Sequence, residues 1–396
     1  MTRQRTPPGA LLVVATLMAL VAAACSGPVL ANPAAERPVV TPPAATPAPP
    51  VDPIAVELPR DDGPHDRLTE WWYYTGHLRA EDGHRFGFEY VIFRAERGGF
   101  PVSWASHLAL TDETDGHFHY AQRSEVGPQV DLSPRGPADE PSGFAFSLTG
   151  LELSGTIAPG TTPWTMAGSL GEDRLAAGAN GTEVGGDPID AFAIDLSLAA
   201  RTPPTLHDRD GWIDFGVAGG SYYYSRTSMT ATGSVTVGDS TLAVEGDAWF
   251  DHQWGDFISV GAGGWDWFAV NLADGTDLTI SLVRAADGTY PLVYGTLVDA
   301  DGTARHIDRD ALTVEVTGSW TSPATGATYP AGWHIRLPGE GLDIRLTPSV
   351  GHQELDTRPT TGVVYWEGSQ VVRATRDGTR VAGEAYVELT GYARAP

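Results

Sequence analysis

Asp-Gly turns separate short segments of the chain at Asp82-Gly83, Asp115-Gly116, Asp274-Gly275, Asp287-Gly288, Asp301-Gly302 and Asp377-Gly378. Each suits the positive backbone angles of a two-residue hairpin turn, and short segments of alternating apolar and polar residues lie between them. Helical periodicity is nearly absent. Such a chain reads as successive antiparallel hairpins. In the last, Val371–Arg376 runs out, Asp377-Gly378 turns and Thr379–Tyr392 returns. Many strands with few helices predict a sandwich or barrel, and an interior wide enough for a ligand favours the barrel. A faint internal echo points to two related halves. Trp71-Trp72-Tyr73 leads to the Asp82-Gly83 turn and on to Phe93-Arg94-Ala95, as Trp265-Asp266-Trp267 leads to Asp274-Gly275 and Val283-Arg284-Ala285. The body then divides near residue 257, into 57–257 and 258–396. Residues 128–142 and 171–190, rich in Gly, Pro and Asp, read as long loops of the first half.

The first 24 residues have the layout of an export signal: Arg3 and Arg5, an apolar run from Leu11 to Val21, then Ala22-Ala23-Ala24. Cys25, the sole cysteine, follows directly, which is the placement needed for lipidation of its thiol. Residues 25–56 are rich in Pro and Ala and read as an extended tether. The expected location is therefore extracytoplasmic, anchored in a membrane through Cys25, with plain secretion as the alternative. One cysteine allows no intrachain disulfide, so stability rests on core burial. All 25 basic residues are arginine and the net charge is −25. The missing lysine excludes a Schiff-base lysine and a Walker-A loop, and the charge argues against nucleic-acid partners.

The richest chemistry lies in Trp249-Phe250-Asp251-His252-Gln253-Trp254-Gly255-Asp256, where two carboxylates and an imidazole interrupt a half-buried aromatic strand. Such groups are expensive to bury unless paired or used. A second cluster, Glu70-Trp71-Trp72-Tyr73-Tyr74, sets a carboxylate against four aromatics. Together they predict an aromatic-walled cavity for a hydrophobic small molecule.

These motifs, with Trp265-Asp266-Trp267-Phe268, Tyr365-Trp366-Glu367-Gly368 and Gly391-Tyr392, make residues 60–396 resemble the AttH/carotenoid 1,2-hydratase (CrtC-like) family, whose bacterial members are often described as secreted hydrolases. The resemblance implies an all-β fold of two lipocalin-like antiparallel barrels packed side by side, with a ligand site in or between them. It also implies hydration of carotenoid-like or prenylated substrates in one branch, and shaping of pericyclic cyclisations in fungal relatives. In the hydratase branch the cavity's His, Trp, Tyr and Asp act in catalysis. His252 and Trp254 match the His-x-Trp part, and no Tyr/Asp equivalent is assigned here.

On a strand, Asp251 and Gln253 share one face, His252 and Trp254 the other. Hydrating an alkene needs an acid that protonates carbon and an aromatic wall for the cation. Asp251 or Asp256 would be that acid, with His252 orienting it or activating water; alternatively the segment is a hydrogen-bonded hinge. Glu70, set between aromatics, would have a raised pKa and serve as acid or base, or would pair with an arginine while Trp71 and Trp72 pack the barrel floor. Trp71, Trp72, Tyr74, His107, Tyr223, Trp254, Trp265, Trp267, Tyr365 and Glu367 are candidate ligand contacts, with packing as the alternative role. Glu384 and Glu388 read as structural partners of arginines. His117 and His119 have metal-like spacing without an evident third ligand, so neither a metal nor another cofactor is expected. No Gly-x-Ser-x-Gly motif supports a hydrolase. The expected function is binding of an isoprenoid- or polyketide-like molecule, with acid-assisted hydration of a carbon–carbon double bond; a non-catalytic lipophilic carrier is the alternative.

Overall fold

The structure, a computed structural model, describes residues 52–149, 163–179, 191–257 and 262–393. Cys25, the export signal and most of the tether lie outside the described residues. Among the described residues there is no α-helix, only short 3-10 turns.

The first sheet takes β1 (Thr69–Ala80), β2 (Arg85–Ala95), β3 (Ser103–Asp112), β4 (His117–Val126), β5 (Phe144–Leu148), β6 (Trp164–Gly168), β7 (Glu172–Ala179), β8 (Phe192–Ala200), β9 (Thr205–Leu206), β10 (Trp212–Asp214), β11 (Gly219–Val237) and β12 (Ser240–Phe257). Its order is β4-β3-β2-β1-β12-β11-β8-β7-β6-β5, with β9 and β10 on β11. The edges approach where Thr149 N–H donates to Glu125 Oε2 at 2.9 Å, so the sheet nearly closes into a barrel.

The second sheet takes β13 (Ala262–Leu272), β14 (Asp277–Ala285), β15 (Leu292–Val298), β16 (Ala304–Asp308), β17 (Thr313–Val316), β20 (Trp333–Leu337), β21 (Leu342–Pro348), β22 (Glu354–Asp356), β23 (Val364–Arg376), β24 (Thr379–Val381) and β25 (Gly383–Thr390). The ribbon β18 (Ser319–Thr321) with β19 (Thr328–Pro330) is separate. This second sheet forms a half-barrel, and both sheets belong to the single compact unit Pro53–Pro396. The fold is all-β with two lipocalin-like barrels.

These six Asp-Gly turns all lie between consecutive antiparallel strands, their glycines at φ between +75° and +92°. Glycine populates that region without a Cβ clash. One loop expectation is corrected: Glu172–Ala179 is strand β7, with Asp173, Leu175 and Ala177 buried in alternation. Its small and charged residues hid the period from a hydrophobicity reading.

Alternation gives each central strand of the first sheet two buried faces. On β1, Trp72 and Tyr74 enter the first barrel, whereas Trp71 and Tyr73 face the second sheet. The sheets touch closely. A Cβ on Gly87 would lie 2.8 Å from Ser369 Cβ, below any ordinary contact. The internal echo is spatial as well: Trp71 pairs with Phe93 and Trp265 with Val283, and the two indoles stack across the seam at 6.4 Å and 11°.

The first barrel's core also holds charge. Arg226 on β11 reaches Asp62 Oδ1 at 2.5 Å and Asp173 Oδ2 at 2.8 Å, with all three side chains at 1% exposure or less. Tyr74 donates to Asp173 at 2.6 Å, and Tyr224 donates to Asp62. Burial pushes Asp173 upward despite Arg226, while Arg226 is raised against its own burial by the surrounding phenols and acids. The two shifts pull opposite ways for the pair. The guanidinium decides it, because arginine keeps its proton in proteins.

Candidate active site at the seam between the sheets

Register builds the seam row by row. Ser225, Asp251, Tyr73, Val91 and His107 are successive pairing partners across β11, β12, β1, β2 and β3. On the other sheet Glu367, Glu388, Trp267, Ser281 and Tyr294 line up across β23, β25, β13, β14 and β15. Ring contacts join the two rows. Trp267 meets Tyr73 edge-on at 5.4 Å and Trp249 at 6.1 Å.

Asp251 lies at the centre. It accepts from Tyr223 Oη at 2.5 Å, from Trp249 Nε1 at 2.6 Å and from Ser225 Oγ, while Trp267 Nε1 donates to Tyr223 Oη at 3.0 Å. Burial raises its carboxyl to about 6, outweighing the three donors that favour the charged form. His207 Nε2 lies 2.6 Å from Ser225 Oγ, and Thr296 engages its Nδ1 at 2.9 Å. An acyl-transfer triad needs its carboxylate on the imidazole. Here the carboxylate is on the serine, so this group holds Asp251 in place.

Glu367 is fully buried and accepts from Tyr73 Oη at 2.6 Å. Glu89, also fully buried, accepts from Tyr365 Oη at 3.3 Å, and His107 Nδ1 lies 2.8 Å from that same phenol. Burial raises both glutamates well above the ordinary carboxylate range, and neighbouring Glu388 raises them further. Glu388, half-buried, is itself raised by burial. Burial lowers His107 to about 3, so its imidazole stays neutral. Glu89 and Glu367 each keep one carboxyl oxygen, Oε2, without a hydrogen-bond partner among the described residues. A carboxyl in that state carries its own proton.

Raised acids make the seam sensitive to pH. Above about pH 4 the unfolded chain ionises Asp251 while the folded protein still holds the proton, so the unfolded state binds fewer protons and stability falls as pH rises through about 6. For Asp251 that loss is on the order of 3 kcal/mol. Glu367 and Glu89 extend the decline to higher pH. Urea unfolding from pH 4.5 to 8 is expected to give a shallower slope in Asp251→Asn and Glu367→Gln than in the parent, and identical slopes would refute this account.

The structure separates the residues that the sequence grouped in one cavity. Trp71, Tyr223, Asp251, Trp267, Tyr365, Glu367 and His107 meet at the seam, with Trp265 on its rim at 36% exposure. Glu70, Trp72, Tyr74, His252 and Trp254 point into the first barrel instead. His252 therefore cannot orient Asp251, because they lie on opposite faces of β12. Asp256 is corrected too: its side chain is 51% exposed and pairs with Arg67 Nη1 at 2.7 Å, so it faces solvent rather than a substrate held in the seam.

Glu70 meets neither expectation set for it. It sits between His65 Nδ1 at 2.7 Å and His252 Nε2 at 3.0 Å, with no arginine partner among the described residues. Burial pushes its pKa up, but the His65 charge and both imidazole hydrogen bonds outweigh that and lower it. Glu89 and His65 escaped the sequence reading. Glu89 is one polar position in an apolar run, and His65 precedes the first strand. A different feature, an open polar cleft of about 610 Å³, lies at the far end of the seam, lined by Arg79, Arg85, Arg201, Asp247, Asn271 and Glu384.

The family model described as AttH-like matches residues 49–392. The crystal structure of a candidate AttH protein from Nitrosomonas europaea is similar at 29% identity, covering 87% of this chain and all of that one, with a TM-score of 0.70. Kievitone hydratase from Nectria haematococca shares the fold at 16% identity, over 86% of this chain and 94% of its own, with a TM-score of 0.62. CghA bound to Sch210972 shares it at 15% identity, over 82% and 89%, with a TM-score of 0.51. Among curated proteins none matches.

Proposed function

This chain belongs to the AttH-like family, and from that premise we propose that it binds a hydrophobic isoprenoid- or polyketide-like molecule at the seam and adds water across a carbon–carbon double bond. Kievitone hydratase is a hydratase on the same fold, which supports the class of reaction. The observation that carries the reading is the pair of buried carboxyls in unlike settings: Glu367 has one phenol donor and a bare Oε2 among the described residues, whereas Asp251 has three donors, and burial raises both. The carboxyl with fewer donors keeps its proton as the acid, and the one with three donors favours the charged form as the base. Their charges interact, since Asp251 contributes to lifting Glu367.

Glu367 is the acid. Its proton goes to the less substituted alkene carbon, forming a C–H bond as the π bond breaks. The cation at the neighbouring carbon faces the indoles of Trp267 and Trp249, where cation–π attraction in a dry site is worth about 2 kcal/mol. Asp251 takes a proton from water as its oxygen bonds to the cation, and solvent returns that proton to Glu367. The net reaction is alkene plus water to alcohol. Substrate enters by parting Trp71 from Trp265 at the rim. On this reading catalysis occurs outside the cytoplasm, with the body held to a membrane through Cys25; the export-signal layout of residues 1–24 supports it.

Incubation with an acyclic isoprenoid in heavy water is expected to yield an alcohol with one deuterium on carbon. An isoprenoid that binds but returns unhydrated and unlabelled would leave the lipophilic carrier as the function.

A further inference from the structure

The first barrel holds a second constellation, separate from the seam. His65 comes from the segment that precedes β1, Glu70 from β1 and His252 from β12. Pairing of Glu70 with Trp254 and of Trp72 with His252 sets Glu70 and His252 diagonally on the inward face of these neighbouring strands. His65 then folds back over them, its own N–H donating to Glu70 Oε2 at 2.9 Å. One ligand atom from each residue lies within 4.8 Å of the other two.

We propose that His65 Nδ1, Glu70 Oε1 and His252 Nε2 form a site for a divalent transition metal, Zn²⁺ by preference, that fastens the segment before β1 to the barrel. Two imidazoles and one carboxylate suit Zn²⁺ and its neighbours, whereas Ca²⁺ and Mg²⁺ want oxygen. Bonds of roughly 2.0–2.2 Å place tetrahedral donors about 3.3 Å apart. The present spacings to Glu70 Oε1 of 2.7 and 3.0 Å need only small side-chain rotations to reach that.

The surroundings support a built site. Asp61 Oδ1 lies 3.5 Å from the other ring nitrogen of His65, the carboxylate–histidine–metal arrangement that fixes a ligand's tautomer. Trp254 stacks on His65 at 4.2 Å and 1°, and Trp72 on His252 at 4.6 Å, so both imidazole planes are held by indoles. Charge is largely compensated. A dication that displaces the His65 proton faces Glu70 and Asp61, and Asp61 is shared with Arg60 Nε at 2.6 Å. His65 is 20% exposed while Glu70 and His252 are buried, which leaves one ligand as the way in.

The competing arrangement is a metal-free cluster in which Glu70 shares protons with the two histidines. EDTA-treated full-length protein titrated with ZnCl₂ and CoCl₂ separates the two. One Co²⁺ per chain with visible absorption of a tetrahedral ion is expected, together with proton release and a rise in Tm of about 5 °C on Zn²⁺ loading. His65→Ala and Glu70→Gln should each weaken binding at least 100-fold, Asp61→Asn by roughly 10–100-fold, and His334→Ala not at all. His65 lies outside the strands, so His65→Ala keeps the test available if His252→Ala fails to fold. No stoichiometric metal, or binding unchanged in folded His65→Ala, overturns the proposal.

Discussion

Glu367→Gln is expected to reduce kcat/KM for hydration by roughly 10²–10⁴-fold, the usual worth of a positioned general acid, while leaving the protein folded. The amide keeps the shape and still accepts from Tyr73 Oη, which now donates at 2.6 Å to a fully buried carboxyl. What it lacks is the proton. The same change removes one of three mutually repelling acids, Glu89, Glu367 and Glu388, so stability at pH 8 should hold or improve. A purely structural glutamate would give the opposite result, an unchanged rate with altered stability. The parent's pH profile adds a second readout. The base must be ionised, so activity rises as Asp251 loses its proton through about pH 6, and falls at higher pH as Glu367 ionises. Asp251→Asn should lower the rate and flatten the acid limb. Parent-like turnover by Glu367→Gln would remove that residue from the mechanism.

Arg226→Met should be the most destabilising single change in the first barrel. Arg226 carries the positive charge between Asp62 and Asp173, both fully buried. Removing one partner of a buried pair costs about 3–5 kcal/mol, because the remaining charge has neither water nor counter-ion. Here two carboxyls are left, and Asp62 Oδ2 already has no partner among the described residues. A fall in Tm of roughly 10 °C is the expected result. The triple variant Arg226→Met, Asp62→Asn, Asp173→Asn should recover part of the loss, since neutral amides can still pair with Tyr74 and Tyr224. If Arg226→Met unfolds like the parent, these aspartates are not ionised and the network is not an ion triad.

The hairpins were legible because Asp-Gly pairs and alternation are local properties. A glycine near φ +80° follows from the turn and needs no distant contact. The motifs were legible as well, since acids among indoles stand out in any strand. Their grouping was not. Alternation assigns Asp251 and His252 to opposite faces, but a sequence does not say that both faces are buried, one in a barrel and the other against a second sheet. Exposure was equally hidden: Asp256 sits two residues past Trp254 and still meets solvent.

The strand period, the turn chemistry and the missing lysine were therefore determined by the chain itself. The docking of the second sheet decided the rest. It turned the outer face of β1 and β12 into a water-poor seam, brought Glu89 and Glu367 into it from strands about 280 residues apart and left them without a counter-ion among the described residues. Proton affinity depends on what surrounds a group through space, and only closure of the two layers fixes that.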